Sequence, residues 1–136
     1  MLALHLSGMH ANSPPGSVFA LDYSELRQAG VTVWMAWADG AIAGIAALRD
    51  LGNDSGEIKS MRTHPDFLRG GVGTALIEHI IAVARTRSYR RLSLETGSGP
   101  AFDPALALYR KYGFVSGEAF ADYTKSEFNQ FFHLAL

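Results

Sequence analysis

Apolar positions along this chain recur with two different periods, and the switches between them mark its elements. Val31–Ala38 (VTVWMAWA) is rich in β-branched and aromatic residues and runs into Asp39-Gly40, after which Ala41–Arg49 is a second apolar run. Asp-Gly between two such runs is the strongest short-range hairpin signal. Leu51–Gly56 reads as loop, and Glu57–Thr63 (EIKSMRT) as a third strand stopped by His64-Pro65. From Gly70–Gly73 the period becomes helical: Val72, Leu76, Ile80 and Val83 form one stripe, with Ala75 and Ile77 beside it. Arg91–Thr96 returns to alternation, Leu92 and Leu94 against Ser93 and Glu95. Pro104–Tyr112 predicts another helix, which Gly113 ends in the left-handed conformation. Phe114–Val115 and Phe131–Leu136 read as strands closing the sheet.

The first thirty residues are less decisive. Leu2, Leu6 and Met9 at i, i+4 and i+7 favour a short helix over 2–10, although Leu2, Leu4 and Leu6 also alternate as in a strand. Asn12-Ser13-Pro14-Pro15-Gly16 is a break, and a helix around Leu21–Ala29 is ended by Gly30. The order of elements gives an α/β fold: a mixed, mostly antiparallel sheet flanked by helices, with a central parallel strand pair made by the strand–helix–strand crossover. With no internal repeat and no long linker, residues 1–136 are expected to form a single domain.

Composition narrows the function classes. The 136 residues are 48% apolar and 18% charged, an ordinary globular balance. A net charge of −1 supplies no global field toward nucleic acid or an anionic membrane, so neither is expected as a partner. Arg85, Arg87, Arg90 and Arg91 read as a solvated helix end, with nucleic-acid binding a weak rival. The absence of cysteine excludes disulfides, thiolate nucleophiles and cysteine-zinc sites, and the five histidines lack metal-ligand spacing, so no metal is expected. No apolar run reaches the ~20 residues needed to span a bilayer, and no signal peptide is recognisable, so the expected location is cytoplasmic.

The candidate chemistry begins at Arg69-Gly70-Gly71-Val72-Gly73-Thr74, between a predicted strand and a predicted helix. Glycines let a backbone approach a ligand closely, and a helix start offers unpaired N–H groups at the positive end of a dipole. A pyrophosphate is the expected guest, with Arg69 adding a charged contact; the rival is a tight turn without a ligand. The P-loop string is absent, and the third glycine of a dinucleotide fingerprint is replaced by Leu76.

EIKSMRTHPDFLRGGVGTALIEHI (57–80) resembles the cofactor-binding heart of the GNAT superfamily of N-acetyltransferases, and ALALYRKYGF (105–114) resembles the same superfamily's tyrosine-bearing helix. SPPGSVFALD, GEIKSMRTHP, YRRLSLETGS and FADY look like its bacterial YsnE-type subgroup. The resemblance implies transfer of an acetyl group from acetyl-CoA, as cosubstrate, to an amine of a small-molecule acceptor. It implies that Leu68, Arg69, Gly70, Gly71, Val72, Gly73 and Thr74 hold the pyrophosphate, and that the main chain of Met61, Arg62 and Thr63 meets the pantetheine arm. Leu68 stands where the family usually has Gln or Arg, and Phe102 where an Asn often meets pantetheine. Because family members usually begin with a strand, a helix over 2–10 leaves no room for it. The edge of Val31–Ala38 would then be open to a second subunit, making a homodimer.

Within that frame Tyr109 is the candidate general acid: a phenol near ~10 and a thiol near ~8.5 make proton transfer to sulfur close to balanced. Its rival role is a packed aromatic beside Leu106 and Tyr112. Glu57, fourteen residues before Gly71, is the candidate base, against an ion pair with Lys59 or Arg62, or a water relay. Regular alternation puts Glu57, Lys59 and Met61 on one face, a parity that a bulge would change. By analogy the Met61 N–H polarises the thioester carbonyl. Lys59 and Arg62 read either as surface charge on a strand edge or as holding a carboxylate or phosphate of the acceptor, and by the superfamily's layout Asp122, Tyr123 and a helix with His5 and Met9 wall its pocket. The alternative is a non-catalytic module that binds acetyl-CoA or a partner protein.

Overall fold

The computed structural model describes residues 5–10, 30–67, 71–97, 103–121, 123–127 and 129–136. Strand β1 (His5–His10) is followed by β2 (Val31–Ala38), β3 (Ala41–Gly52) and β4 (Ser55–Thr63). A 3₁₀ turn over Pro65–Phe67 precedes helix α1 (Val72–Thr86), then β5 (Arg91–Gly97), helix α2 (Asp103–Lys111), β6 (Val115–Ser116) and β7 (Asn129–Ala135). The described strands form one sheet in the order β1-β2-β3-β4-β5-β7-β6. Of its pairings only β4–β5 is parallel, as the crossover through α1 demands. No helix among the described residues is long and apolar enough to cross a membrane.

Two expectations are corrected. Residues 5–10 are a strand, not a helix, pairing antiparallel with β2 from His5–Trp37 to His10–Thr32. A helix of nine residues is marginal in water, whereas a strand here satisfies the row of N–H and C=O groups along the β2 edge. The first strand is therefore present, and it covers the β2 edge that an open sheet would have offered to a second subunit. The 51–56 loop shrinks to Asn53 and Asp54, both at positive φ, with Gly52 and Ser55 already paired. Asn and Asp tolerate the left-handed conformation, which a two-residue hairpin turn requires. The 12–16 break and the 21–29 helix fall outside the described residues.

The sheet buries a different cluster on each face. Leu48, Ile58, Leu92, Leu94 and Phe132 pack with Leu76, Ile77 and Ile80 of α1 and Leu106 and Tyr109 of α2. Val31, Val33, Met35, Ile45 and Ala47 form the cluster of the opposite face.

Two irregularities shape the centre. Pairing of β4 with β5 runs from Ser55–Arg91 only to Glu57–Ser93, although both strands continue, so they part beyond that point. Across β4, Lys59 faces Ala47 but Arg62 faces Ile45, so β4 carries one extra residue at a bulge around Ser60 and Met61.

Candidate active site

A groove of about 580 Å³ lies at the end of β4 that runs on past its pairing with β5. Met61, Arg62 and Thr63 at the end of β4 line one side, and Gly71, Val72, Gly73 and Thr74 at the start of α1 line another. Pro104, Ala105, Leu108 and Tyr109 of α2 close it. Thus the described part of the expected carrier-binding set meets in one groove with the candidate acid. Leu68, Arg69, Gly70, Asp122 and Phe102 lie outside the described residues.

The chemistry of the groove follows from its backbone. Gly71 is the N-cap of α1 at φ 86°, left-handed, and no side chain caps the helix. The first intrahelical bond is Ala75 N–H to the Gly71 carbonyl at 2.9 Å, so the N–H groups of Val72, Gly73 and Thr74 are free of the helix ladder. A Cβ on Gly73 would come within 3.1 Å of Leu108 Cδ2, so only glycine lets α1 and α2 approach this closely without displacement. Main-chain donors, the positive end of the dipole and an unpaired β4 edge suit a diphosphate joined to an amide-bearing arm.

Tyr109 is 7% exposed and its hydroxyl donates to Met61 Sδ at 3.7 Å. Burial raises its pKa to about 12. The nearly balanced transfer expected from ordinary values is thereby corrected: the phenol is a weaker acid than a free thiol near ~8.5. Tyr109 is both a packed aromatic and a wall of the groove.

The opposite face of β4 holds Glu57. It is 1% exposed, accepts a hydrogen bond from the Tyr123 hydroxyl, and lies 3.7 Å from Arg49 Nη1. The Arg49 cation comes from β3, where Arg49 faces Glu57 directly across the ladder. Arg49 was missed because its placement depends on hairpin register, which only the correct 53–54 turn supplies. The bulge also breaks the expected parity: Met61 packs into the cluster that holds Tyr109, while Lys59 sits opposite Ala47 of the other cluster. Arg62 is exposed at the mouth of the groove.

Tyr123 belongs to a strap across this face. Phe120, 7% exposed, meets Tyr123, Phe131 and His133 with ring centroids 5.1, 5.8 and 5.7 Å apart. His133 Nδ1 lies 2.7 Å from Ser93 Oγ and Nε2 lies 2.8 Å from the Glu118 carbonyl oxygen. A carbonyl only accepts, so Nε2 carries a proton and the ring ties the strap to β5. His5 and Met9 are in β1, separated from β4 by β2 and β3, and not in a helix walling the site.

Comparison with known proteins agrees with this architecture. The model of the Acetyltransferase (GNAT) family matches residues 3–114. The uncharacterized N-acetyltransferase YedL of Escherichia coli strain K12 is 46% identical over 136 residues, 100% of this chain and 86% of that protein. The uncharacterized N-acetyltransferase YsnE of Bacillus subtilis strain 168 is 49% identical over 119 residues, 88% of this chain and 79% of that protein. A GNAT family acetyltransferase from Elizabethkingia anophelis, solved with acetyl-CoA bound, superposes with a TM-score of 0.77 at 18% identity, covering 98% of each chain.

Proposed function

The chain belongs to the GNAT family of acetyl-CoA-dependent acetyltransferases, and from that premise we propose that it acetylates an amine of a small molecule by direct attack, Glu57 serving as base and Tyr109 as acid. The observation that carries this reading is the convergence of Tyr109 with both main-chain segments on one groove. The carrier supplies a thioester carbonyl and a thiolate leaving group. The N–H groups of Val72, Gly73 and Thr74, outside the helix ladder, hold its diphosphate, and the stretch of β4 beyond its pairing with β5, Met61–Thr63, orients its arm toward the strand gap.

An ammonium on the acceptor must lose a proton before it attacks. Glu57, buried next to the point where β4 and β5 part, takes that proton on the acceptor face. Tyr109, protonated at any physiological pH, donates to the departing sulfur on the groove face. Burial that raises the phenol also raises a thiolate beside it, which brings the two proton affinities back toward each other. A cytoplasmic setting goes with this reading, since the thioester carrier is a cytoplasmic metabolite.

Thiol release from acetyl-CoA across a panel of small amines tests it. The expected result is amine-dependent release that Tyr109→Phe slows at least tenfold. Tight carrier binding without release on any amine would describe a non-catalytic module instead.

A further inference from the structure

Four of the charged side chains on the Glu57 face of the sheet are Glu57, Arg49, Glu95 and Lys59. Arg49 lies 3.7 Å from the Glu57 carboxylate, which also accepts a hydrogen bond from the Tyr123 hydroxyl. Glu95, on the same face of β5 two residues beyond Ser93, receives the Asn129 side-chain amide at 3.3 Å. The fourth is Lys59. It is half-buried on the face that carries Glu57, two residues further along β4, and no carboxylate among the described residues pairs with it. Holding a lysine partly out of water without a counter-charge costs free energy that a ligand anion would offset.

Resting on the transfer reading above, we propose that the acceptor is a small amino acid, an amine whose nitrogen meets Glu57 while a carboxylate a few bonds away meets Lys59. Two strand residues span about 7 Å, a distance that the flexible lysine stem and a short acceptor bridge together. The single positive charge of Lys59 matches a monoanion. A phosphate dianion would leave excess negative charge beside the buried Glu57 carboxylate. The position also suits the reaction, because Lys59 immediately precedes the bulge that turns Met61 toward Tyr109, so the bound amine is held at the strand gap.

The test compares matched acceptors: amino acids, their primary amides, their decarboxylated amines and an O-phosphorylated analogue, each assayed by thiol release from acetyl-CoA. The acids are expected to exceed their amides in kcat/KM by about ten- to a hundredfold, the range of a charged hydrogen bond. Lys59→Met should collapse that ratio toward one and Lys59→Arg should keep most of it, with a thermal upshift by coenzyme A certifying each variant as folded. Equal rates on acids and amides, a preference that survives in Lys59→Met, or a better rate on the phosphorylated analogue would overturn the assignment. A protein that binds coenzyme A yet releases no thiol with any member of the series overturns the transfer reading itself, and this assignment with it.

Discussion

Tyr109 and Glu57 stand on opposite faces of β4. Tyr109 packs with Ile58 and Met61 on the helical side, while Glu57 meets Arg49 and Tyr123 on the other. The two proton transfers of the proposed reaction therefore take place on different sides of the sheet. Between those sides, the pairing of β4 with β5 ends at Glu57 and Ser93.

Glu57→Gln keeps the shape of the side chain and removes the base. In steady-state kinetics kcat/KM is expected to fall by about a hundredfold or more, the lower end of general-base effects. A loss below threefold, with the acid limb of the pH profile unmoved, would assign deprotonation to water instead.

Tyr109→Phe separates chemistry from binding. The fall is expected in kcat with little change in the KM for acetyl-CoA, because the hydroxyl acts at the sulfur and the carrier is held by main-chain groups. The same substitution has a signature in alkali. A phenol raised to about 12 in the folded protein keeps a proton that the unfolded chain loses near ~10. That stabilisation is complete below pH ~10 and is lost as pH rises toward about 12, a change of about 2–3 kcal/mol. Denaturant melts between pH 9 and 12 should show the wild type losing stability faster than Tyr109→Phe.

Arg49→Met leaves Glu57 buried without its cation. The expected cost is about 1–2 kcal/mol in urea unfolding, below that of a fully buried pair because the Arg49 side chain is 31% exposed. The loss should shrink when Glu57→Gln is added, and a double-mutant cycle measures the coupling.

Much of this architecture was legible in local pattern. The Asp39-Gly40 hairpin, the α1 stripe, the alternation of β5 and the Gly113 stop depend on residues within a few positions of one another, and all reappear in the structure. Strand β1 was misread because a six-residue segment fits both periods, and what decides it is the partner strand 22 to 32 residues on. The bulge in β4 was allowed for but not located, since it is a matter of register with β3. The Arg49 and Tyr123 contacts to Glu57 were hidden for the same reason: one requires the hairpin register and the other a strap 66 residues away. Leu108 and Pro104 lacked any chemical signal, being ordinary helix residues that acquire meaning only where α2 meets α1.

Gly71→Ala tests the cradle through its backbone. A residue with Cβ at φ 86° costs about 1–2 kcal/mol, so the start of α1 should shift away from that conformation. Carrier affinity is expected to drop at least tenfold in calorimetry while far-ultraviolet circular dichroism stays unchanged. Unaltered affinity would mean that the turn does not hold the diphosphate.

The most direct measurement is a calorimetric titration of coenzyme A into the wild-type protein, run beside Gly73→Val. Valine at 73 would drive its branches toward Leu108 and into the groove. The account predicts saturable heat and a thermal upshift for the wild type, both lost in the variant. No heat and no upshift for the wild type at millimolar coenzyme A, or equal binding by Gly73→Val, would contradict it.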